Sequence, residues 1–382
     1  MSSGLPLEGL VVVELGTSVA APIGAQILAE MGAEVIKVEP PGSGDDARMW
    51  GPPFAHGAST VFNAINRNKR SAVVDLKDEG QRLTLRRFIV ERADIVLQNL
   101  RPGLVESFGL DGAALRAERP SLIYCDVAAF GARGPLREKP GYDPLMQAFG
   151  GIMSTTGEEG REPVRVGPSI VDQGAGMWAV IGIMAALHRR GQTGEGCIVQ
   201  TSLYETALGW ITMQMSTFLT TQRPPRKIGS ENAGIAPYKA FAASDGWLVI
   251  AAGNDRLFAR AAAALGHPEW SDDPRFADNA KRVENREALN AAIAAEVATG
   301  TRAEWREKLD KAGVPCAPVL TLDQVVAEPQ FEAVEMLQST PDGTVSLLGL
   351  PLSFDGARPP FRLAPPALGA DSDLVFIAAG KE

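Results

Sequence analysis

Cysteine and histidine are scarce in this 382-residue chain, with three of each. Cys125, Cys197 and Cys316 lie far apart, and no two have the spacing of metal ligands or a redox pair. They read as reduced core residues of a cytoplasmic protein with no metal site. A zinc centre or a Ser-His-Asp triad would have to draw on His56, His188 and His267, and none has a partner at suitable spacing. Positive charge is not in excess either: the net charge is −9 and the pI about 5.1. That argues against a nucleic-acid partner, while leaving room for a local basic pocket. The first eight residues hold no basic segment followed by an apolar one, so no signal peptide is expected. The longest apolar run, residues 174–187, falls short of the roughly 20 residues that cross a bilayer. It reads as a buried core helix, with no membrane partner. Finally, the first strand is not followed by Gly-x-Gly-x-x-Gly. The turn is Gly16-Thr-Ser-Val-Ala-Ala-Pro22, so a nicotinamide or flavin enzyme loses its main signature.

What the chain does contain is a repeated strand–helix pattern. Residues 10–15 form a β-branched run typical of a parallel strand buried on both faces. Pro22 suits the first turn of a helix running to about Met31, and 34–38 is the next strand. Strands follow at 72–76, 94–97, 121–127 and 197–200, with helical stretches at 79–91, 103–117, after Asp172, and at 203–219. This is an α/β domain with a doubly wound sheet, covering 1–221. Two prolines among basic and polar residues at 222–228 mark a linker. Beyond it lies a smaller α+β domain, to about 330, with a strand at 247–251 and helices near 255–265, 283–298, 302–312 and 322–328. The segment 331–382 has a strand at 345–348 and a weak final helix, and is expected to return to the large domain.

An α/β sheet binds ligands beyond the carboxyl ends of its strands, and basic residues recur in those turns. They include Arg48, the run Asn66-Arg-Asn-Lys-Arg-Ser71, Lys77, Arg101, and Arg137 with Lys139. Such a run is either a solvated surface turn or a phosphate-holding cluster. A second notable stretch is Gly167-Pro-Ser-Ile-Val-Asp-Gln-Gly-Ala-Gly176. Its Asp172 stands alone before the long apolar helix. Read from position alone, it is either a helix cap, worth about 1 kcal/mol, or a reactive carboxylate.

Taken together these segments resemble the family III CoA-transferases, a superfamily that includes formyl-CoA transferase, carnitine CoA-transferase and the α-methylacyl-CoA racemases. The matching pieces include Leu7-Glu-Gly-Leu-Val-Val-Val-Glu-Leu15, Gly32-Ala-Glu-Val-Ile-Lys-Val-Glu-Pro-Pro41, Asn66-Arg-Asn-Lys-Arg-Ser71, Asn99-Leu-Arg-Pro-Gly103, Gly141-Tyr-Asp143, the Asp172 stretch and Gly313-Val-Pro-Cys-Ala-Pro-Val319. The resemblance implies a Rossmann-like large domain without a dinucleotide, and an interlocked homodimer. It implies no tightly bound cofactor; coenzyme A enters as acyl-CoA substrate together with a carboxylic acid. It also implies that Asp172 is the covalent nucleophile, with Trp50 and Tyr142 beside the acyl group. CoA would meet Val19, Ala20, Asp75, Leu76, Lys77, Gln98, Asn99, Leu100, Arg101 and Lys139. The helix N-terminus would hold Asp172 ionised, and Gly167, Gly174 and Gly176 would allow close approach of substrate.

In the racemases a histidine works with the aspartate as a two-base pair. Here that position is Tyr142, a poor proton acceptor at neutral pH, so transfer is expected over racemisation; an idle CoA-binding protein is the third reading. Compared with formyl-CoA transferase, Val19 replaces a glutamine, Val61 a tyrosine and Pro40 an arginine. These changes point away from formate and oxalate towards a larger acid.

Overall fold

The computed structural model of the chain describes residues 4–378. The backbone divides into two units. The larger takes the chain up to Met153, Arg165–Arg223 and the segment from Glu332 onward; the smaller takes Ser154–Val164 and Pro224–Phe331. Residues 154–164 therefore belong to the smaller unit and not to the 1–221 domain that the sequence predicts. They are tied to the linker by a bridge between Glu158 and Ile228 and by the Gly229 N–H donating to the Gly157 carbonyl at 2.8 Å.

The larger unit is built on six parallel strands: β1 (Val11–Leu15), β2 (Glu34–Glu39), β3 (Lys69–Val73), β4 (Ile95–Gln98), β5 (Ile123–Ala128) and β6 (Ile198–Ser202). Their order is β3-β2-β1-β4-β5-β6, the doubly wound arrangement, which reverses between β1 and β4. Alternation along the strands supplies two cores. Val12, Ile95, Leu97, Ile123 and Cys125 face one side; Val13, Val96 and Tyr124 face the other.

The helices that matter for the site are α1 (Ala20–Glu30), α2 (Glu79–Arg92), α3 (Asp143–Phe149), α4 (Ile170–Thr193), α5 (Leu203–Trp210) and α6 (Thr212–Thr221). Helix α2 covers the second core with Leu85, Phe88 and Ile89. Helices α1 and α4 cover the first through runs of alanine, which allow a close crossing. The contact is closest at two glycines. A Cβ on Gly176 would lie 2.7 Å from the Ala20 carbonyl oxygen and 3.0 Å from the Gly24 nitrogen.

Helix α4 is not buried all round, as its composition led one to expect. Val171, Ala175, Ala179 and Ile183 pack inward, whereas Met177, Trp178, Ile181 and Met184 are 37–54% exposed. Its length and apolarity would allow it to cross a membrane, but half of its circumference is part of the sheet's core.

The cationic run before β3 is neither a surface turn nor a phosphate clamp. Strand β3 begins at Lys69, three residues earlier than expected, and Arg67 and Lys69 are carried inside while Arg70 stays part-exposed at the sheet edge. Arg67 pairs with Glu30 and Gln338 and lies over the Phe361 ring. Lys69 reaches Glu14 at 2.9 Å, and Arg70 binds Glu34 and Asp371. Arg48, in the second turn, is held by both oxygens of Glu39 at 2.7 Å. Taking charges out of water is tolerated here because each has its partners; removing one partner costs about 3–5 kcal/mol.

In the smaller unit, β7 (Tyr238–Ala243), β8 (Gly246–Ala251) and β9 (Cys316–Pro318) form an antiparallel sheet in the order β9-β8-β7. Helices at Asp255–Ala264, Arg286–Val297 and Arg302–Lys311 enclose a core of Phe241, Leu248, Phe258, Leu289 and Trp305. In the larger unit, the C-terminal tail makes a two-stranded ribbon (Leu337–Ser339 with Ser346–Leu348) and then lies along β3. There Asp371 exchanges backbone and side-chain hydrogen bonds with Ser71, and the Val73 N–H donates to Ser372 Oγ at 3.0 Å. That contact covers the open edge of the sheet.

The glycine crossing yields a test. Gly176→Ala should lower stability by about 1–3 kcal/mol by forcing α1 and α4 apart. The effect should appear as a lower thermal midpoint, whereas Gly191→Ala on the same helix, where a Cβ meets nothing within 4 Å, should leave the midpoint unchanged or raise it.

Candidate active site

The crevice predicted by the sheet order opens at the carboxyl ends of β1 and β4. Four hydrogen bonds fix its first turn. Lys37 Nζ donates to the Gly16 carbonyl at 2.8 Å, and Asn99 exchanges two bonds of 2.9 Å with the Thr17 backbone. The Ser18 N–H donates to Asp45 Oδ1 at 3.0 Å. Ser18 itself has φ +66°, a conformation that costs a residue with a Cβ about 1–2 kcal/mol.

Around this turn lies a cavity of about 290 Å³. Its walls include Val19, Ala20, Trp50, Asn99, Leu100, Arg101, Lys139, Tyr142 and Asp172. The structure thus brings together residues from the turns after β1, β2 and β4, the loop before α3 and the first turn of α4. Trp50 and Tyr142 are exposed on the rim. Among the described residues, no acidic side chain pairs with Arg101 or Lys139, whereas Arg137 is paired with Glu138 at 3.1 Å.

Other expected residues stand elsewhere. Gln98 is buried behind the wall; its Nε2 donates to Asp126 at 2.7 Å and its Oε1 accepts the Leu100 N–H at 2.7 Å, which shapes the turn from inside. Asp75, Leu76 and Lys77 lie on the turn between β3 and α2 and do not line the cavity; Asp75 Oδ1 accepts the Lys77 N–H. Val61 does not line it either. Gly174 and Gly176 serve packing, not substrate approach. A Cβ on Gly174 would meet Trp210 and Thr206 at 2.7–2.9 Å, and Gly176 faces α1.

Asp172 is the third residue of α4, and it does not cap the helix. Asp143 does, from the start of α3. Its Oδ2 accepts the N–H groups of Val171 at 2.8 Å and Asp172 at 3.3 Å. Its Oδ1 is held by Gln147 Nε2 at 2.6 Å, and Gln147 Oε1 in turn accepts the Val166 N–H. Asp143 is 2% exposed. Sequence reasoning missed this residue, although an Asp at a helix start with Gln four residues later was a signal for such a network. The cap consumes the N–H groups that were expected to hold Asp172 ionised. Burial first, and then the Asp143 charge, push the Asp172 carboxyl up to about 7. The result is a partly buried carboxylate, facing a cavity with two free cations and two aromatic rings, whose proton comes off near neutrality. Among the described residues, no group of three or more His, Cys, Asp or Glu side chains is placed to hold a metal ion.

Comparison with known proteins gives consistent matches. The sequence model of CoA-transferase family III matches residues 7–372. An acetyl-CoA:oxalate CoA-transferase of Acetobacter aceti is 37% identical over 93% of this chain and 90% of its own length. A succinyl-CoA:glutarate CoA-transferase of Mus musculus is 35% identical over 95% of this chain and 84% of its own. Among solved structures, a CaiB/BaiF family protein from Brucella suis superposes with a TM-score of 0.88 at 38% identity, covering 99% of this chain and 100% of that one.

The raised Asp172 carboxyl carries a prediction about folding. Between its ordinary value of 3.8 and about 7 the folded chain holds a proton that the unfolded chain has lost. Stability therefore falls as pH rises through that window. Asp172→Asn should raise the thermal midpoint at pH 8, by up to about 4 kcal/mol of stability, and leave it nearly unchanged at pH 4; an equal shift at both pH values would contradict the assignment.

Proposed function

The chain belongs to CoA-transferase family III, and from that membership we propose that it moves CoA from an acyl-CoA thioester to a free carboxylic acid with Asp172 as covalent nucleophile. It is an acyl-CoA:carboxylate CoA-transferase. The observation that carries the role of Asp172 is its place: an uncapped carboxylate in the wall of the cavity that also holds Arg101, Lys139, Trp50 and Tyr142.

In the proposed sequence a carboxylate oxygen of Asp172 attacks the thioester carbonyl. The C–S bond breaks, and CoA leaves as thiolate with the electron pair. The mixed anhydride is re-attacked by that thiolate at the aspartyl carbonyl, and the donor acid departs as its carboxylate. The acceptor carboxylate then attacks the aspartyl-CoA thioester, expelling the thiolate again. The thiolate attacks the acceptor's carbonyl and frees both the new acyl-CoA and Asp172. No proton is gained or lost, so the site needs no acid–base partner; it needs Asp172 ionised and water excluded from the anhydride. Tyr142, where a racemase would need a base, suits this chemistry as a hydrogen-bond donor to an acyl oxygen, and no histidine lines the cavity among the described residues. Arg101 and Lys139 would meet the CoA phosphates, and the turn from Asp75 to Lys77 would meet the far end of the nucleotide.

For the acids themselves, the relatives named above act on oxalate and glutarate, and Val19 in the cavity wall leaves room. We propose a dicarboxylic acid larger than oxalate as acceptor. We further propose that the chain works as a homodimer. The bare apolar face of α4, with Trp210 of α5 and Met213 of α6 also exposed, is the kind of patch that a soluble protein covers with a partner.

Three measurements test the reading. Asp172→Ala should abolish CoA exchange, by at least about 10³-fold, while CoA binding persists. Mass spectrometry of the unaltered protein with a panel of acyl-CoAs should show a CoA adduct on the peptide containing Asp172. Turnover should rise with pH through about 7 as Asp172 ionises. Persistence of turnover in Asp172→Ala would overturn the nucleophile assignment, and formyl-CoA-to-oxalate exchange as fast as any other pair would overturn the substrate class.

A further inference from the structure

Beneath the β1–α1 turn, four charged side chains are sealed from solvent: Glu14, Lys37, Asp45 and Lys69, each with a fully buried side chain. Each ammonium group donates two hydrogen bonds and sits at ion-pair distance from a further carboxylate oxygen. Lys37 Nζ meets Glu14 Oε1, Asp45 Oδ2 and the Gly16 carbonyl, each at 2.8 Å. Lys69 Nζ meets Glu14 Oε2 at 2.9 Å, Asn66 Oδ1 at 2.8 Å and the Pro22 carbonyl at 2.8 Å. The charges balance, two against two. The two backbone carbonyls that the lysines take, Gly16 and Pro22, bracket Ser18, the residue in the left-handed region. The remaining oxygen of Asp45 accepts the Ser18 N–H. So the cluster grips the turn before, at and after its strained residue. Strain of this kind persists only where the surroundings over-determine it, and it gathers at working sites.

We propose that this buried cluster is a positioning device for the transfer reaction, with Asp45 and Lys37 as its working members. It holds Ser18 in the left-handed conformation so that Val19 and Ala20 form the cavity wall at a fixed separation from Asp172. Without the Asp45 contact, Ser18 relaxes to negative φ and the wall swings. The acyl carbonyl then loses its alignment with the attacking carboxylate, while CoA remains held by the residues after β4. The loss falls on turnover and not on acyl-CoA affinity. None of the four residues lines the cavity.

The inference rests on Asp172 as the reacting carboxylate. The test keeps Asp172 intact in every chain, so the two ideas fail separately: Asp172→Ala decides the first, and a cycle between Asp45 and Ser18 decides the second. Asp45→Asn keeps the shape and removes the charge. It should lower kcat by about 10- to 100-fold with KM for acyl-CoA within about threefold. Glycine adopts positive φ without a Cβ penalty, so in a chain carrying Ser18→Gly the same Asp45→Asn change should cost no more than about fivefold. A cluster that merely stabilises the fold would lower the thermal midpoint in both backgrounds, and Ser18→Gly would rescue no turnover; that result overturns the proposal, as does an undiminished kcat in Asp45→Asn. If Asp45→Asn does not fold, Ser18→Val reads the same strain from the other side. Folded Ser18→Val with full kcat overturns the proposal; a kcat loss with unchanged KM supports it.

Discussion

Two carboxylates stand at the N-terminus of α4, and only one of them receives its N–H groups. Asp143 reaches over from α3 and takes the donors of Val171 and Asp172, while Gln147 holds its second oxygen. Asp172, within the first turn, is left with burial on one side and a neighbouring negative charge on the other. This arrangement explains why it is so much weaker an acid than an ordinary aspartate. A carboxylate deprived of donors is less solvated and therefore a better nucleophile than one in water. The same cap fixes the direction in which α4 leaves the loop, and through the glycine crossing with α1 it sets how close the two helix ends come. The site thus depends on a group that need not touch the substrate.

Much of this was legible from the chain. β-Branched apolar runs marked the strands, strand–helix–strand units with short connections pointed to a doubly wound sheet, and ligands were expected beyond the carboxyl ends of its strands. What was not legible depended on partners distant in sequence. Arg67, Lys69 and Arg70 look like a surface run until Glu30, Glu14 and Asp371 are known to face them. Burial of Arg67 and Lys69 and pairing of Arg70 went with a β3 that starts earlier in the chain, and removed the strongest argument for a phosphate clamp. The basic contribution to the cavity comes down to Arg101 and Lys139. Helix α4 misled for a different reason. A helix apolar on every side can be buried by its own fold or by another surface, and periodicity does not distinguish the two. The aspartate at its start was conspicuous by isolation, whereas Asp143, the residue that governs it, stood in the matching Gly141-Tyr-Asp143 piece, where attention fell on Tyr142, and only its spacing to Gln147 hinted at the cap.

The buried charges also separate two jobs that a basic motif can perform. Free cations on the cavity wall are available to an anionic ligand. Enclosed ones, such as Lys37 between Glu14, Asp45 and the Gly16 carbonyl, are shut away from any ligand and act on backbone geometry. The same residue types recur in both places, and only burial and the partners around each cation tell them apart.

The tail's place along β3 has a consequence for how the chain is made. Ser71 and Val73 wait for Asp371 and Ser372, some 300 residues later. The whole Pro224–Phe331 segment lies between them in sequence. At ribosomal rates that is an interval of roughly 15 to 60 s in which the sheet's outer strand has no neighbour on one side. During that interval the nascent chain presents an edge able to pair with any other extended segment, so the arrival of Asp371 and Ser372 is also what ends that strand's exposure to mispairing.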